Sequence, residues 1–168
     1  GDKPNIAWAT DITYLRIPGG FIYLNGILDL HNRQLLSWRV INSIDASFCV
    51  AALNEAIAEN GPPFLFNMDQ GSQFTSGEFR GVLEKSGVII SMDGKGRAFD
   101  KILMERFWRS IKQEVFYLRD CQNIKEVKEL LGEWIRFYNE ERPHQSLGYR
   151  TPKEVYESAQ KQGLKIAA

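Results

Sequence analysis

The apolar positions run first at strand period and later at helix period. From Ile6 to Ile17 β-branched and aromatic residues dominate, and Pro18-Gly19-Gly20 closes the run, which predicts a strand and a turn. Phe21 to Leu30, ended by His31-Asn32-Arg33, predicts a second strand, and Gln34 to Ile41 a third. Three consecutive strands with short turns make an antiparallel meander. The spacing then becomes helical. Asp45 reads as an N-cap, Phe48, Ala51, Ala52, Ala56 and Ile57 follow at helical intervals, and Gly61-Pro62-Pro63 stops the helix.

The second half alternates. Phe64 to Met68 is a short apolar run with the look of a buried strand, Ser76 to Ser86 a helix with Phe79, Val82 and Leu83 inward, and Val88 to Ser91 another short strand. Strands separated by helices imply parallel additions to the first three. Asp93 to Phe99 reads as a glycine-containing loop. A long helix is expected from Asp100, its cap, to about Leu118, with Met104, Phe107, Trp108, Ile111, Val115 and Leu118 on one stripe. A second long helix starts at Asn123, with Glu126 completing a capping box, and carries Val127, Leu130, Leu131, Trp134, Ile135 and Tyr138. Thr151-Pro152-Lys153-Glu154 opens a last short helix. The order β-β-β-α-β-α-β-α-α is that of the ribonuclease-H-like fold. The expectation is an α/β domain with a mixed five-stranded sheet, three antiparallel strands then two parallel, flanked by helices. Residues 1–150 would form the core domain and 151–168 a C-terminal short helix and tail.

Composition narrows the function classes. The 168 residues suffice for one domain with a hydrophobic core. No apolar run approaches the roughly 20 residues that span a bilayer, and the start GDKPNIAWATD lacks the basic-then-apolar build of a signal peptide. Action in the compartment of synthesis is expected. Cys49 and Cys121 lie far apart and form no CxxC pair, which argues against a zinc site or a disulfide framework and for a reducing cytosol with both as small core residues. The formal net charge is zero, so any contact with nucleic acid must come from a local concentration of Lys and Arg.

Three carboxylates stand out. Asp11 sits mid-strand in Trp8-Ala9-Thr10-Asp11-Ile12-Thr13-Tyr14, where a charge is rarely buried unless paired or metal-bound. The plainer alternative puts Asp11 and Thr13 on a wet face. Asp69 follows the apolar run directly, at a strand end where α/β sheets place ligands, though turn aspartates also cap loops. Glu105 shares a helical stripe with Lys101, Arg109 and Lys112, about 100° from the apolar stripe. Alone, that stripe is a solvated face with i,i+4 ion pairs. Together the three fit two-metal phosphoryl transfer, in which carboxylates converge on two hard ions and no histidine or cysteine is needed. His31 and His144 are the only histidines. The basic residues beyond Glu105 could then hold a DNA backbone. Of the other acids, Asp29 reads as structural, paired locally with Arg33, although a fourth ligand is open. Asp93 and Asp100 flank the glycine loop, and Glu140 and Glu141 beside Arg142 form a solvated helix end. Trp8, Trp108 and Trp134 fit core packing rather than base stacking.

These words resemble the integrase-type catalytic core of bacterial insertion-sequence transposases, specifically the insertion sequence three group. The resemblance runs from about Pro4 to Tyr156. It is carried by Trp8-Ala9-Thr10-Asp11-Ile12-Thr13-Tyr14, Asp69-Gln70-Gly71-Ser72-Gln73-Phe74, Ser91-Met92 through Gly96-Arg97, Glu105-Arg106-Phe107-Trp108 with Lys112, and Tyr138-Asn139-Glu140-Glu141-Arg142-Pro143-His144-Gln145-Ser146-Leu147-Gly148-Tyr149. The family separates its last two acids by 35 residues, as Asp69 and Glu105 are separated here. The resemblance implies Asp11, Asp69 and Glu105 as catalytic and metal-binding residues, with two Mg²⁺ or Mn²⁺ ions in the active complex. It implies Arg109 and Lys112 as DNA contacts, with Lys101 of the same stripe expected beside them, and DNA cleavage with strand transfer as the reaction. The implied partners are transposon ends and target DNA, an N-terminal helix-turn-helix region of the same protein that would precede this chain, and further copies of the protein in the active complex. The implied setting is bacterial cytoplasm, with no membrane. Two positions depart from the family's habit: Asn67 stands where His is common, and Lys101 where Asn is common. A plain nuclease of the same fold and a non-catalytic assembly or DNA-binding module are the rival readings. With zero net charge and no repeat-reading region, weak DNA binding at physiological salt is expected of this chain alone.

Overall fold

Alternation along the first strand decides which side of the sheet each group faces. A computed structural model describes residues 5–18, 20–43, 46–68, 77–91, 97–115 and 120–167, with backbone alone at 46, 97–99, 160 and 162–167. In strand β1 (Ala7–Ile17) the period of 2 sends Trp8, Thr10 and Ile12 to one face and Ala9, Asp11, Thr13 and Leu15 to the other. β2 (Gly20–Asp29) and β3 (Leu35–Ile41) follow antiparallel. β4 (Leu65–Asn67) and β5 (Ile89–Ser91) join parallel to β1, giving the order β3-β2-β1-β4-β5. The mixed five-stranded sheet expected from the sequence is thus formed, and β1 lies at its centre.

Helices cover both faces. α1 (Ala46–Asn60) and α2 (Gly77–Lys85) pack on the side of Trp8, Ile27 and Phe66. α3 (Arg97–Glu114) and α4 (Ile124–Glu140) pack on the side of Ala9, Leu15, Leu24 and Leu28. Phe107 centres this second core, with edge contacts to Trp108, Trp134 and Tyr138 at centroid distances of 5.2, 5.8 and 4.9 Å. Both cysteines are buried and free, as expected. Among the described residues no helix is long and apolar enough to cross a membrane.

The helix boundaries carry two corrections. α3 begins at Arg97, so Asp100 lies in its first turn rather than at its cap. Glycines in Asp93 to Phe99 suggested loop throughout, but an acid in the first turn suits the helix dipole and lets Arg-Ala-Phe join. Residues 92–96 and 116–119, which include Asp93 and Leu118, lie outside the described residues, as does the expected cap Asp45. The last helix, α5 (Pro152–Ala167), has 16 residues and is not short. Its polar second half with Gly163 shows little apolar period, and an interior glycine costs only about 1 kcal/mol. The Thr151 capping box forms in both directions, Glu154 Oε2 accepting from the Thr151 amide at 3.4 Å, whereas at Asn123 the Glu126 carboxylate takes the Gln122 amide in place of the cap's own. Asn123 Oδ1 accepts from the Glu126 amide at 3.0 Å, and Thr151 Oγ1 from the Glu154 amide at 3.2 Å.

Two polar devices fix the rim of the sheet. Asn139 of α4 reaches the outer edge of β3, where its Oδ1 accepts from the Leu35 amide at 2.9 Å and its Nδ2 donates to the Leu35 carbonyl at 3.0 Å. Asp29, fully buried at the end of β2, accepts from three amides: Asn5 at 2.8 Å, His31 at 2.9 Å and Asn32 at 3.3 Å. Its role is structural, as the sequence suggested, but backbone N–H groups hold it and not the Arg33 guanidinium. Burial still raises its pKa, more than the amides lower it. Alanine at position 29 would strand three N–H donors, each costing about 1–3 kcal/mol when buried and unpaired. We expect Asp29→Ala to lower the urea midpoint by an amount corresponding to several kcal/mol, without changing which face Asp11 occupies.

Candidate active site

Asp11 stands in the middle of β1, directly opposite Gly26 on β2. That glycine opens a slot in the sheet surface. A Cβ at position 26 would lie 2.9 Å from Leu35 Cδ1 and 3.0 Å from Trp108 Cη2, closer than such contacts allow. The indole of Trp108 fills the slot and turns its N–H to the carboxylate, Nε1 donating to Asp11 Oδ2 at 3.1 Å. The Ile12 amide donates to Oδ1 at 2.9 Å. Both oxygens are therefore oriented, and each keeps lone pairs for a further partner. Burial raises the Asp11 pKa, and Glu105 adds to the rise. The Trp108 and Ile12 hydrogen bonds and the charge of Lys101 oppose it.

The sequence-predicted residues gather along α3 on this face. Toward the start of the helix, Asp11, Asn67, Asp100 and Lys101 line a cleft between the middle of β1, the end of β4 and the first turns of α3. The Asn67 amide donates to the Asp100 carboxylate across it. One turn on, Thr13, Glu105, Trp108, Arg109 and Lys112 line a second cleft. Glu105, Arg109 and Lys112 are exposed, and the Lys112 ammonium lies 5.2 Å from the centroid of the Tyr14 ring, a cation–π contact. Among the described residues no ion pair joins Arg109 to Glu105, the partnership that the solvated-face alternative predicts. Asp69 lies outside the described residues, two positions after Asn67. The convergence expected of the three acids is thus seen for Asp11 and Glu105 only as electrostatic proximity on one sheet face. Glu140 and Glu141 form an exposed helix end, as expected, but they pair with Arg136 at 3.7 and 2.9 Å, while Arg142 reaches Glu114 at 2.7 Å.

Among the described residues no group of three or more His, Cys, Asp or Glu side chains is set to hold a metal. The donor set nonetheless fits a hard divalent ion, since Asp11 and Glu105 offer only carboxylate oxygens and Asp11 has coordination capacity left. Sequence reasoning missed two residues. Trp108 was assigned to the core alone, and it is 6% exposed, yet its indole N–H needs an acceptor when buried and finds the carboxylate. Gly26 carried only the general signal that a mid-strand glycine marks close approach.

Comparison with known proteins shows the fold and the family. By fold, the chain superposes on the HTLV-2 integrase catalytic core domain in complex with magnesium with a TM-score of 0.75, at 21% identity and covering 92% of this chain and 97% of that one. The catalytic core domain of BIV integrase gives a TM-score of 0.73 at 17% identity, covering 95% and 99%. The fold is therefore ribonuclease-H-like, of the retroviral integrase core type. By sequence, residues 1–98 and 86–152 match integrase core domain families, and the chain belongs to the integrase core domain family. InsK of insertion sequence element IS150 from Escherichia coli K12 is 32% identical over 155 residues, which cover 90% of this chain and 54% of InsK. The transposase for insertion sequence element IS904 from Lactococcus lactis is 28% identical over 154 residues, covering 90% and 61%. Transposase InsF for insertion sequence IS3A from Escherichia coli K12 is 29% identical over 154 residues, covering 90% and 54%. The chain spans about half the length of most of these relatives.

Two outcomes follow from the geometry. Gly26→Ala crowds Leu35 Cδ1 and pushes the Trp108 indole back by a few tenths of an ångström, and overpacking of this kind costs about 1–3 kcal/mol. We expect a lower urea midpoint together with a shift of the hydrogen-bonded Trp108 Nε1–H resonance. For Asp11 the folded-state pKa lies above 3.8, so the folded chain binds this proton more tightly than the unfolded chain. Stability is lost as pH rises through that window and stays lowered at neutral pH. Asp11→Asn, which can still accept from Trp108, should raise the melting temperature at pH 7. The gain should vanish below the ordinary aspartate pKa of 3.8.

Proposed function

We propose that the chain is the catalytic core of a DNA transposase, cutting DNA at the ends of a mobile element and joining those ends to a target. The observation that supports this most directly is Asp11: a half-buried carboxylate, oriented by Trp108 and Ile12, beside a helix whose Glu105 stripe carries three cations, Lys101, Arg109 and Lys112. Relatives named as insertion-sequence transposases support the substrate class.

In this reading Asp11, Asp69 and Glu105 hold two Mg²⁺ or Mn²⁺ ions. When bound, such ions lower the barrier at the attacking and leaving oxygens of a phosphodiester. The chain's own residues do the rest. Trp108 and Ile12 fix the Asp11 carboxylate so that little reorganisation is needed. Lys101 offsets its charge beside the cleft. Arg109 and Lys112, on the Glu105 stripe, receive the DNA backbone on either side of the reacting phosphate. Sequence recognition of the element's ends would belong to a helix-turn-helix region elsewhere in the protein, and the active complex would contain several copies acting on bacterial DNA in the cytoplasm. No feature of the site favours a plain nuclease or a non-catalytic module.

The test is strand joining by the full-length protein on a pre-cut end with Mg²⁺ or Mn²⁺. Asp69→Asn and Glu105→Gln should each abolish joining with little change in melting temperature. Either variant joining at the wild-type rate would exclude that residue from the metal set. The double variant Arg109→Ala, Lys112→Ala should lose joining and give a shallower dependence of DNA affinity on salt. Its stability should barely change, because exposed charges contribute about 0–1 kcal/mol. Normal joining with a normal salt slope would return the stripe to a solvated face.

A further inference from the structure

α3 has a second chemically distinct side. Arg106 directly follows Glu105 and so points about 100° further round the helix. It lines a cavity of about 190 Å³ between α3, the β2–β3 turn and the segment after α4, far larger than the ~10–15 Å³ one water requires. Arg33, Arg142, His144, Ser110 and Ser146 complete the polar lining. Three guanidinium groups thus face one space. Glu114 matches Arg142 at 2.7 Å, and Arg106 has no carboxylate partner among the described residues.

The donors of this cavity are not used up. Arg33 spends Nη1 on Ser146 Oγ at 2.8 Å, but its Nε is buried without a partner, and so is His144 Nε2. The other His144 ring nitrogen donates to the Tyr138 carbonyl, and burial with the charges of Arg142 and Arg33 lowers the ring's pKa, so Nε2 carries a lone pair and His144 is a reporter of the cavity and not one of its donors. A buried, unpaired donor is costly, and that of Arg33 sits among like charges. Burial and the charge of Arg106 both lower the Arg33 pKa. The backbone adds to the cost, since Arg33 has φ 66°, where glycine or asparagine would sit more easily. An arginine kept in a left-handed turn, lining a cavity with two further arginines, suits an absent anion.

We propose that this cavity binds a single phosphate group, held by Arg33 and Arg106 with the Ser110 and Ser146 hydroxyls beside them. Several guanidinium forks around one point suit a tetrahedral oxyanion with oxygens in every direction, whereas a planar carboxylate is served by one fork. The site is separate from the Asp11 cleft and does not depend on the role given to the acids there. The phosphate can belong to a DNA backbone or be free in solution, and the test separates these.

The experiment follows the Arg33 Nε–Hε and His144 ring resonances of this chain by ¹⁵N NMR, at constant ionic strength. Inorganic phosphate should shift both saturably, and chloride should not. Arg106→Gln should weaken phosphate at least tenfold with an unchanged melting temperature. Arg33→Gly relieves the positive φ, so it should keep the hairpin and remove binding. A duplex oligonucleotide without terminal phosphates that moves the same resonances assigns the site to DNA backbone; a response to inorganic phosphate alone assigns it to free phosphate. No saturable shift with either ligand, or a shift that Arg106→Gln leaves intact, overturns the proposal.

Discussion

Much of this structure depends on how closely α3 can approach the sheet. The approach is set at one point, where Trp108 descends onto Gly26 and meets Asp11. Any side chain at position 26 would lift the indole. The lift would stretch the indole's hydrogen bond to the carboxylate and strain the packing around Phe107. Packing and chemistry are coupled here through a missing methyl group. The same contact explains why a carboxylate tolerates mid-strand burial. It is partly dehydrated, and two N–H donors and the charge of Lys101 reduce the penalty without removing it. In the proposed function a cation would offset that penalty, and without one the group lowers stability.

Zero net charge hid a sorted distribution. Along α3, the Glu105 side carries Lys101, Arg109 and Lys112 next to carboxylates, while the Arg106 side carries arginines with fewer acids to match them. Acids such as Glu140 and Glu141 balance the total from the helix ends, where they pair with Arg136. The sum says little about partners when one helix separates two cationic surfaces.

The strands, their order and the two long helices were legible because period and capping are local properties. Asn123 with Glu126, and Thr151 with Glu154, could be read as caps within four residues. Asp11 was legible because a charge in an apolar strand breaks a local rule. Trp108 and Gly26 were not, since their meaning lies in a contact between residues 97 and 82 positions apart in the chain, Trp108 with Asp11 and with Gly26. Asp29 was half legible: its structural character showed, but its partners are backbone amides, which carry no residue type. The pocket of Arg33, Arg106 and Arg142 was illegible for the same reason as Trp108, with each arginine unremarked in its own segment.

The Asn139 clamp on Leu35 has a consequence for the order of assembly. β3 is an outer strand, and its free N–H and C=O groups are a template for any extended segment that passes. The side chain that occupies Leu35 lies 104 residues further along the chain. A nascent polypeptide therefore displays an open, adhesive sheet margin through most of its synthesis. That margin is closed only after α4 has emerged and docked. Crowded or slow translation would favour strand-to-strand aggregation through β3, so the yield of correctly folded protein is governed by how soon a helix from the second half arrives to seal the first.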